Sequence, residues 1–209
     1  MATTFAEKKF TGISEKVTQK LSSPITKMIR MDHSHVLVLS HKYSADASPQ
    51  QKAAIVKSVC LALEIHAQLE EEIFYPAMRE VESSDPVLDK SKPEHDEMRR
   101  LIADLRAMDA GDSRCDATFA ELMRVVIHHV ADEETVLLPA AERLLGERLN
   151  ELGARMTKRR LQLARPHVGE MAVNTARAMP VSNLLWAGGL LLGVFMLGRG
   201  SVTRRRTLW

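Results

Sequence analysis

A histidine, a glutamate four residues on and a proline six residues after that occur twice in this chain. They are His66, Glu70 and Pro76 in HAQLEEEIFYP, and His129, Glu133 and Pro139 in HHVADEETVLLP. On a helix a spacing of four puts histidine and glutamate on one face. In the first copy that face also carries Val59, Leu63, Leu69, Ile73 and Phe74, so imidazole and carboxylate point into apolar surroundings. An ionised carboxylate is costly to bury without compensation, and a metal ion compensates both groups together.

Each copy is preceded by an acid followed by histidine, Asp32-His33 and then Glu94-His95. His33 and His66 are 33 residues apart and His95 and His129 are 34 apart, so the two halves match in order and spacing. A pseudo-twofold bundle would bring four imidazoles and two carboxylates to one level of its core. Two carboxylates that each bridge two ions, with two imidazoles per ion, give four protein bonds to each and leave positions for solvent, oxygen or nitric oxide. A single inward histidine is most often a hydrogen-bonded core residue. Four of them with two glutamates and no ion would leave several buried groups uncompensated, at about 1–3 kcal/mol each.

The surrounding pattern predicts an all-α fold. Ser22, Ser23 and Pro24 signal the start of a helix whose inner face is Ile25, Met28, Ile29, His33, Val36 and Leu37, ending near Tyr43. A second restarts at Ser48 and Pro49 and is bent or ended by Pro76. Pro93 opens a third with His95, Met98, Ile102 and Leu105 aligned, and a fourth aligns Phe119, Leu122, Val125, Val126, His129 and Val136. Period-two alternation is missing, so no strand is expected. Four amphipathic helices with moderate connections predict an antiparallel four-helix bundle.

Within the repeat register His129 is preferred over His128, which lies about 100° around the helix. His35, His41 and His167 are expected to face solvent or a partner. Glu71, Glu72 and Glu134 read as an acidic rim in water, a role behind the metal ligands being the alternative. Imidazole suits iron, zinc, copper or nickel, and bridging carboxylates with open positions suit iron or manganese. Structural zinc would call for thiolates or a closed tetrahedral set. Ferritin-like sites use Glu-x-x-His, and no histidine here has Glu three residues before it.

The stretches DHSHVLVL (32–39), HAQLEEEIFYP (66–76), EHDEMRRL (94–101) and HHVADEETVLLP (128–139) resemble the hemerythrin-like family, the HHE cation-binding domains, in family order over roughly residues 20–145. The resemblance implies a non-haem di-iron centre of two iron ions with an oxo or hydroxo bridge. It makes His33, His66, His95 and His129 terminal ligands and Glu70 and Glu133 bridging ones. Oxygen-carrying members have a further histidine one turn after the third-helix ligand, where this chain has Arg99. The set is therefore more similar to members tied to nitric-oxide stress, repair of damaged iron centres, or sensing of oxygen or iron. Binding or sensing of O2 or NO, or iron handling under oxidative or nitrosative stress, is the expected function. The alternative is a di-iron enzyme reducing NO, peroxide or O2.

The 29 basic and 27 acidic residues give no global signature of nucleic-acid binding, the basic excess being concentrated at the C-terminus. Cys60 and Cys115 read as buried thiols of a reducing compartment. The expected organisation is a polar segment at 1–20, without a signal peptide, then the bundle at 21–146, a basic helical linker at 147–180, an apolar helix at 181–198 and a basic tail at 199–209. Val181–Gly198 has no charge and as a helix would be about 27 Å long, enough to cross or lie in a bilayer. Arg177, Arg199 and Arg204 to Arg206 would flank it, with Trp186 and Trp209 as interfacial anchors. Membrane association with a cytoplasmic metal domain is expected, and Gly189 and Gly193 form a GxxxG that could pair two copies.

Overall fold

The computed structural model describes residues 23–178 apart from residues 45 and 110. All regular structure among them is helical: α1 (Ile25–His41), α2 (Pro49–Leu69), α3 (Tyr75–Val81), α4 (Pro86–Ala107), α5 (Cys115–Asp132), α6 (Leu138–Leu145), α7 (Arg148–Ala164) and α8 (Val168–Ala178). A π turn, Glu70–Phe74, joins α2 to α3, and a second, Glu133–Leu137, joins α5 to α6. The 3-10 turn Arg165–His167 separates α7 from α8.

Local chemistry accounts for most helix starts. Ser48 and Gln51 form a reciprocal capping box ahead of Pro49. The third long helix begins seven residues earlier than expected, because the Asp85 carboxylate accepts from the Val87 and Leu88 amides at 2.7 and 3.1 Å and Pro86 takes the first helical position. Pro93 therefore lies inside α4. Both it and Asp89, whose carbonyl loses a partner there, are exposed, so water can replace the missing bond.

The two repeated prolines likewise do not end their helices. A proline lacks the N–H of the next α-helical bond and its ring crowds the carbonyl four residues back. Here the preceding turn widens by one residue, the Tyr75 and Leu138 amides reaching the carbonyls of Glu70 and Glu133 five residues back. The extra residue rotates everything after it. Val136, expected on the face of His129, is 43% exposed, while Leu137 and Leu138 are fully buried. Leu37 on α1 is also exposed, at the edge of its apolar stripe.

Two apolar clusters form the core. One contains Ile29, Leu69, Leu88 and Leu137, the other Val36, Leu63, Met98 and Val126. Along α1 the order is Ile29, His33, Val36; along α2 it is Leu63, His66, Leu69; along α4, Leu88, His95, Met98; and along α5 and the π turn after it, Val126, His129, Leu137. Successive helices thus cross the same three levels in alternating directions, with a polar level between two apolar ones. Each fully buried Leu or Ile contributes about 1.5–3 kcal/mol, which is how the fold can carry a polar layer at mid-height.

Helix α7 belongs to this core. Leu152 and Met156 are buried in the first cluster, and at Gly153 the helix meets the start of α1 so closely that a Cβ would stand 2.0 Å from the Ser23 carbonyl oxygen. Gly153→Ala should therefore lower stability. Overpacking costs about 1–3 kcal/mol against a helix-propensity gain of about 1 kcal/mol. An unchanged thermal midpoint would show that α7 does not dock there.

The expected membrane association is corrected. Among the described residues no helix is long and apolar enough to cross a membrane, because the long helices α2 and α4, of 21 and 22 residues, are amphipathic and charged on their outer faces. The apolar segment 181–198, its GxxxG and the segments 1–20 and 199–209 lie outside the described residues.

Candidate metal centre

Six side chains converge in the polar level: His33, His66, His95, His129, Glu70 and Glu133, all buried, the two carboxylates completely so. His128 is exposed on the outer face of α5, as the repeat register predicts. His35 and His41 are exposed, and His167 is half-buried beside Glu170 at 3.5 Å.

The imidazoles form two pairs, His33 with His66 and His95 with His129, at ring separations of 5.0 and 4.7 Å. Each carboxylate spans both pairs. One oxygen of Glu133 lies 3.2 Å from His33 Nε2 and 3.7 Å from His129 Nε2, and one oxygen of Glu70 lies 3.3 Å from His66 Nε2 and 3.4 Å from His95 Nε2. Ligand atoms from His33, His66, Glu70 and Glu133 fall within 4.8 Å of one another, and so do those from Glu70, His95 and His129. The Nε2 atoms of His33 and His66 and one oxygen each of Glu70 and Glu133 are buried without a hydrogen-bond partner among the described residues. Buried polar atoms are rarely left so, and donors of these types facing one another fit a cation.

Behind every imidazole stands a second carboxylate on its Nδ1 side. Glu134 accepts from His33 at 2.8 Å, Glu71 from His95 at 3.0 Å and Glu94 from His129 at 2.8 Å, while Asp32 stands 3.6 Å from His66 Nδ1. The bond from His95 holds Glu71, and that from His129 holds Glu94, below the usual carboxylate range. Such contacts select the tautomer that leaves Nε2 free to ligate. Glu71 and Glu134 were expected on a solvated rim. A step of five from the histidine turns them from its own face, yet both are only partly exposed and reach across to a neighbouring helix, Glu71 to His95 on α4 and Glu134 to His33 on α1. Glu72 does sit outside, paired with Arg159. The acid before each first-half histidine, Asp32 or Glu94, was visible in the sequence without its role being so.

A cation lies behind each of these carboxylates: Arg30 at 3.0 Å from Glu134, Arg99 at 2.8 Å from Glu71, Lys90 at 3.9 Å from Glu94, and Arg160 on Asp32. Arg99, at the position where oxygen carriers have histidine, thus anchors the acid that orients His95.

Tyr75 is the participant that sequence reasoning missed. Its hydroxyl donates to Glu133 at 2.8 Å and lies 3.2 Å from Glu70 and 3.4 Å from His95 Nε2. Its counterpart before the second proline is Leu138, so it breaks the twofold symmetry. That difference between EEEIFYP and EETVLLP was the available signal.

In the metal-free protein, burial and the neighbouring Glu133 charge push Glu70 well above the carboxylate range, whereas at Glu133 burial is outweighed by the close approach of His33 and the charges of the histidines, which hold it low. Burial opposes charge on His33, but the Glu133 carboxylate 3.2 Å away outweighs it and raises His33 to about 9; burial lowers His66 to about 4. The contribution of His33 to the metal-free fold is therefore complete below about pH 6.5 and lost as pH rises through about 9. Metal binding needs neutral His33 and ionised Glu70, so it should release protons at pH 7 and tighten by about tenfold or more per pH unit toward pH 9. Proton release in weak buffer with an indicator dye measures this, and no release at pH 7 would contradict it.

The family model "Hemerythrin HHE cation binding domain" matches residues 25–141. A solved structure of a hemerythrin HHE cation binding domain-containing protein from Mycobacterium kansasii superposes with a TM-score of 0.60 at 17% identity, covering 75% of this chain and 99% of that one. A DNA nickase from Nostoc sp. is 28% identical over 146 residues, which are 68% of this chain and 41% of that protein. The chain thus spans less than half the length of that relative.

Proposed function

This chain belongs to the hemerythrin HHE cation-binding domain family, and from that premise we propose that it is a four-helix bundle holding a non-haem di-iron centre that binds or senses O2 or NO. His33 and His66 would hold one ion, His95 and His129 the other, and Glu70 and Glu133 would bridge them. The observation that carries this reading is that each buried carboxylate touches one histidine of each pair. Iron would supply one-electron chemistry and open positions for a diatomic molecule.

The chain's own residues do the rest. Glu134, Glu71 and Glu94 fix the orientation of His33, His95 and His129, Asp32 stands 3.6 Å from His66 Nδ1, and the Tyr75 hydroxyl donates to Glu133 beside Glu70. Val36, Leu63, Met98, Val126 and Val130, with three of the histidines and Asp32, line a cavity of about 10 Å³ beside His33 and His66. That is room for one molecule of water size, with five apolar side chains on one side of it and the histidines on the other. The reduction of a small oxidant by the same centre is the competing reading. The nickase's DNA chemistry is assigned to no residue here, since the shared part is 41% of that protein.

The experiment is anaerobic purification, iron analysis, and optical spectra of the reduced protein before and after O2 or NO. A filled pair of iron sites with a stable adduct supports binding or sensing. Turnover with added reductant supports the enzyme, and less than one iron per chain removes the di-iron reading.

A further inference from the structure

We propose that Arg160, on α7, is a positioning residue that makes the ion site at His33 and His66 the weaker of the two, by drawing the Asp32 carboxylate away from His66. This rests on the dinuclear reading above and adds an order to it. It also ties the centre to a helix beyond the matched residues 25–141.

The four carboxylates behind the histidines are not used alike. Glu134 gives one oxygen to His33 and the other to Arg30. Glu94 gives one oxygen to His129 and leaves the other near Lys90. A single oxygen of Glu71 takes both His95 and Arg99. Asp32 alone has both oxygens taken by a guanidinium, Arg160 Nη1 on Oδ1 and Nη2 on Oδ2. This is the two-pronged geometry in which arginine binds a carboxylate most strongly. His66 Nδ1 is left 3.6 Å from the same Oδ2, against 2.8–3.0 Å at the other three histidines. At 3.6 Å a hydrogen bond is essentially lost. An imidazole whose Nδ1–H is weakly held is a less basic ligand through Nε2.

Arg160 is fixed from its own helix. Leu152, Gly153 and Met156 are buried against the core, and the Arg160 Nε is itself buried with no hydrogen-bond partner among the described residues. Its neighbour Arg159 points elsewhere, to Glu72. The guanidinium is therefore committed to Asp32, and the position of α7 sets how much of that carboxylate His66 can use.

The test uses the full chain reconstituted with Co2+, followed by release to EDTA in the stopped-flow spectrometer. The parent should lose its two ions in separate phases. In Arg160→Gln, Asp32 is freed to accept from His66 and the fast phase should slow by about tenfold, the size of effect typical for groups behind a metal ligand. Asp32→Asn should move the same phase the opposite way, Arg160→Lys should fall between parent and Arg160→Gln, and Arg159→Gln should change nothing. Faster release from both Arg160→Gln and Asp32→Asn would mean that Arg160 merely holds Asp32 in place, and would overturn the proposal, as would a single phase in the parent. Should Arg160→Gln fail to load, imidazole 15N spectra of the metal-free proteins decide: Arg160→Lys must strengthen the His66 Nδ1–H signal relative to the parent, and an unchanged signal refutes the inference. Failure of the dinuclear reading shows separately, as fewer than two Co2+ per parent chain.

Discussion

A chain carrying both His66→Ala and Glu133→Ala should retain no detectable iron after reconstitution, although it should still fold. His66 is one of two imidazoles available to the first ion, and Glu133 reaches a histidine of each pair, so the two changes remove donors from both positions. Loss of a group behind a ligand costs about 10–100-fold in affinity, and loss of the ligand itself costs more. Folding should survive because His66 Nε2 and one Glu133 oxygen are buried without a hydrogen-bond partner in the metal-free protein, and the Tyr75 hydroxyl that loses Glu133 still has Glu70 at 3.2 Å. His128→Ala is the matched control, an adjacent imidazole that is 66% exposed. Metal analysis and circular dichroism on the three proteins read the outcome. Parental iron content in the double variant would dispose of the assigned donors.

Removing the metal from the parent should lower its melting temperature by about 10 °C. Saturation at a thousand times Kd stabilises a fold by about 4 kcal/mol, and a domain of this size shifts by about 2–4 °C per kcal/mol. The sign follows from burial. Without an ion two fully buried carboxylates share one small space, and burial with mutual repulsion drives Glu70 to keep a proton. That proton is harder to keep as pH rises, so the gap between metal-loaded and metal-free protein should widen from pH 6 to pH 8. Glu70→Gln supplies a neutral group of the same shape, and should raise the metal-free midpoint while weakening metal binding. Calorimetry with and without chelator tests both statements. Identical midpoints would mean that no ion is held in the folded state.

Legibility in the sequence tracked the range of the interactions concerned. His33, His66, His95, His129, Glu70 and Glu133 were readable because spacing along a helix determines which side chains share a face, and repetition removed the ambiguity of any one of them. The apolar levels above and below were readable for the same reason. The start of α4 was missed because two prolines competed for it, and the Asp85 cap decided in favour of Pro86. Val136 was misplaced because a fixed 100° per residue was carried through a turn that contains one residue more; Glu71 and Glu134 were placed in water because the histidines they meet, His95 and His33, stand on other helices. Proline six residues after each glutamate was the visible trace of that widening, and at Pro76 it was read instead as a bend or a stop.

Local sequence by itself determined an all-helical chain with two matching halves and the six inward donors, since periodicity and spacing are properties of a single helix. Tertiary structure alone decided which carboxylate meets which histidine, that Tyr75 closes one side of the centre, and that Arg160 reaches it from α7. Those contacts join residues as far as 128 positions apart. Such pairings depend on how helices are rotated and stacked against one another, and packing of the whole core sets that rotation, down to the Gly153 contact with Ser23.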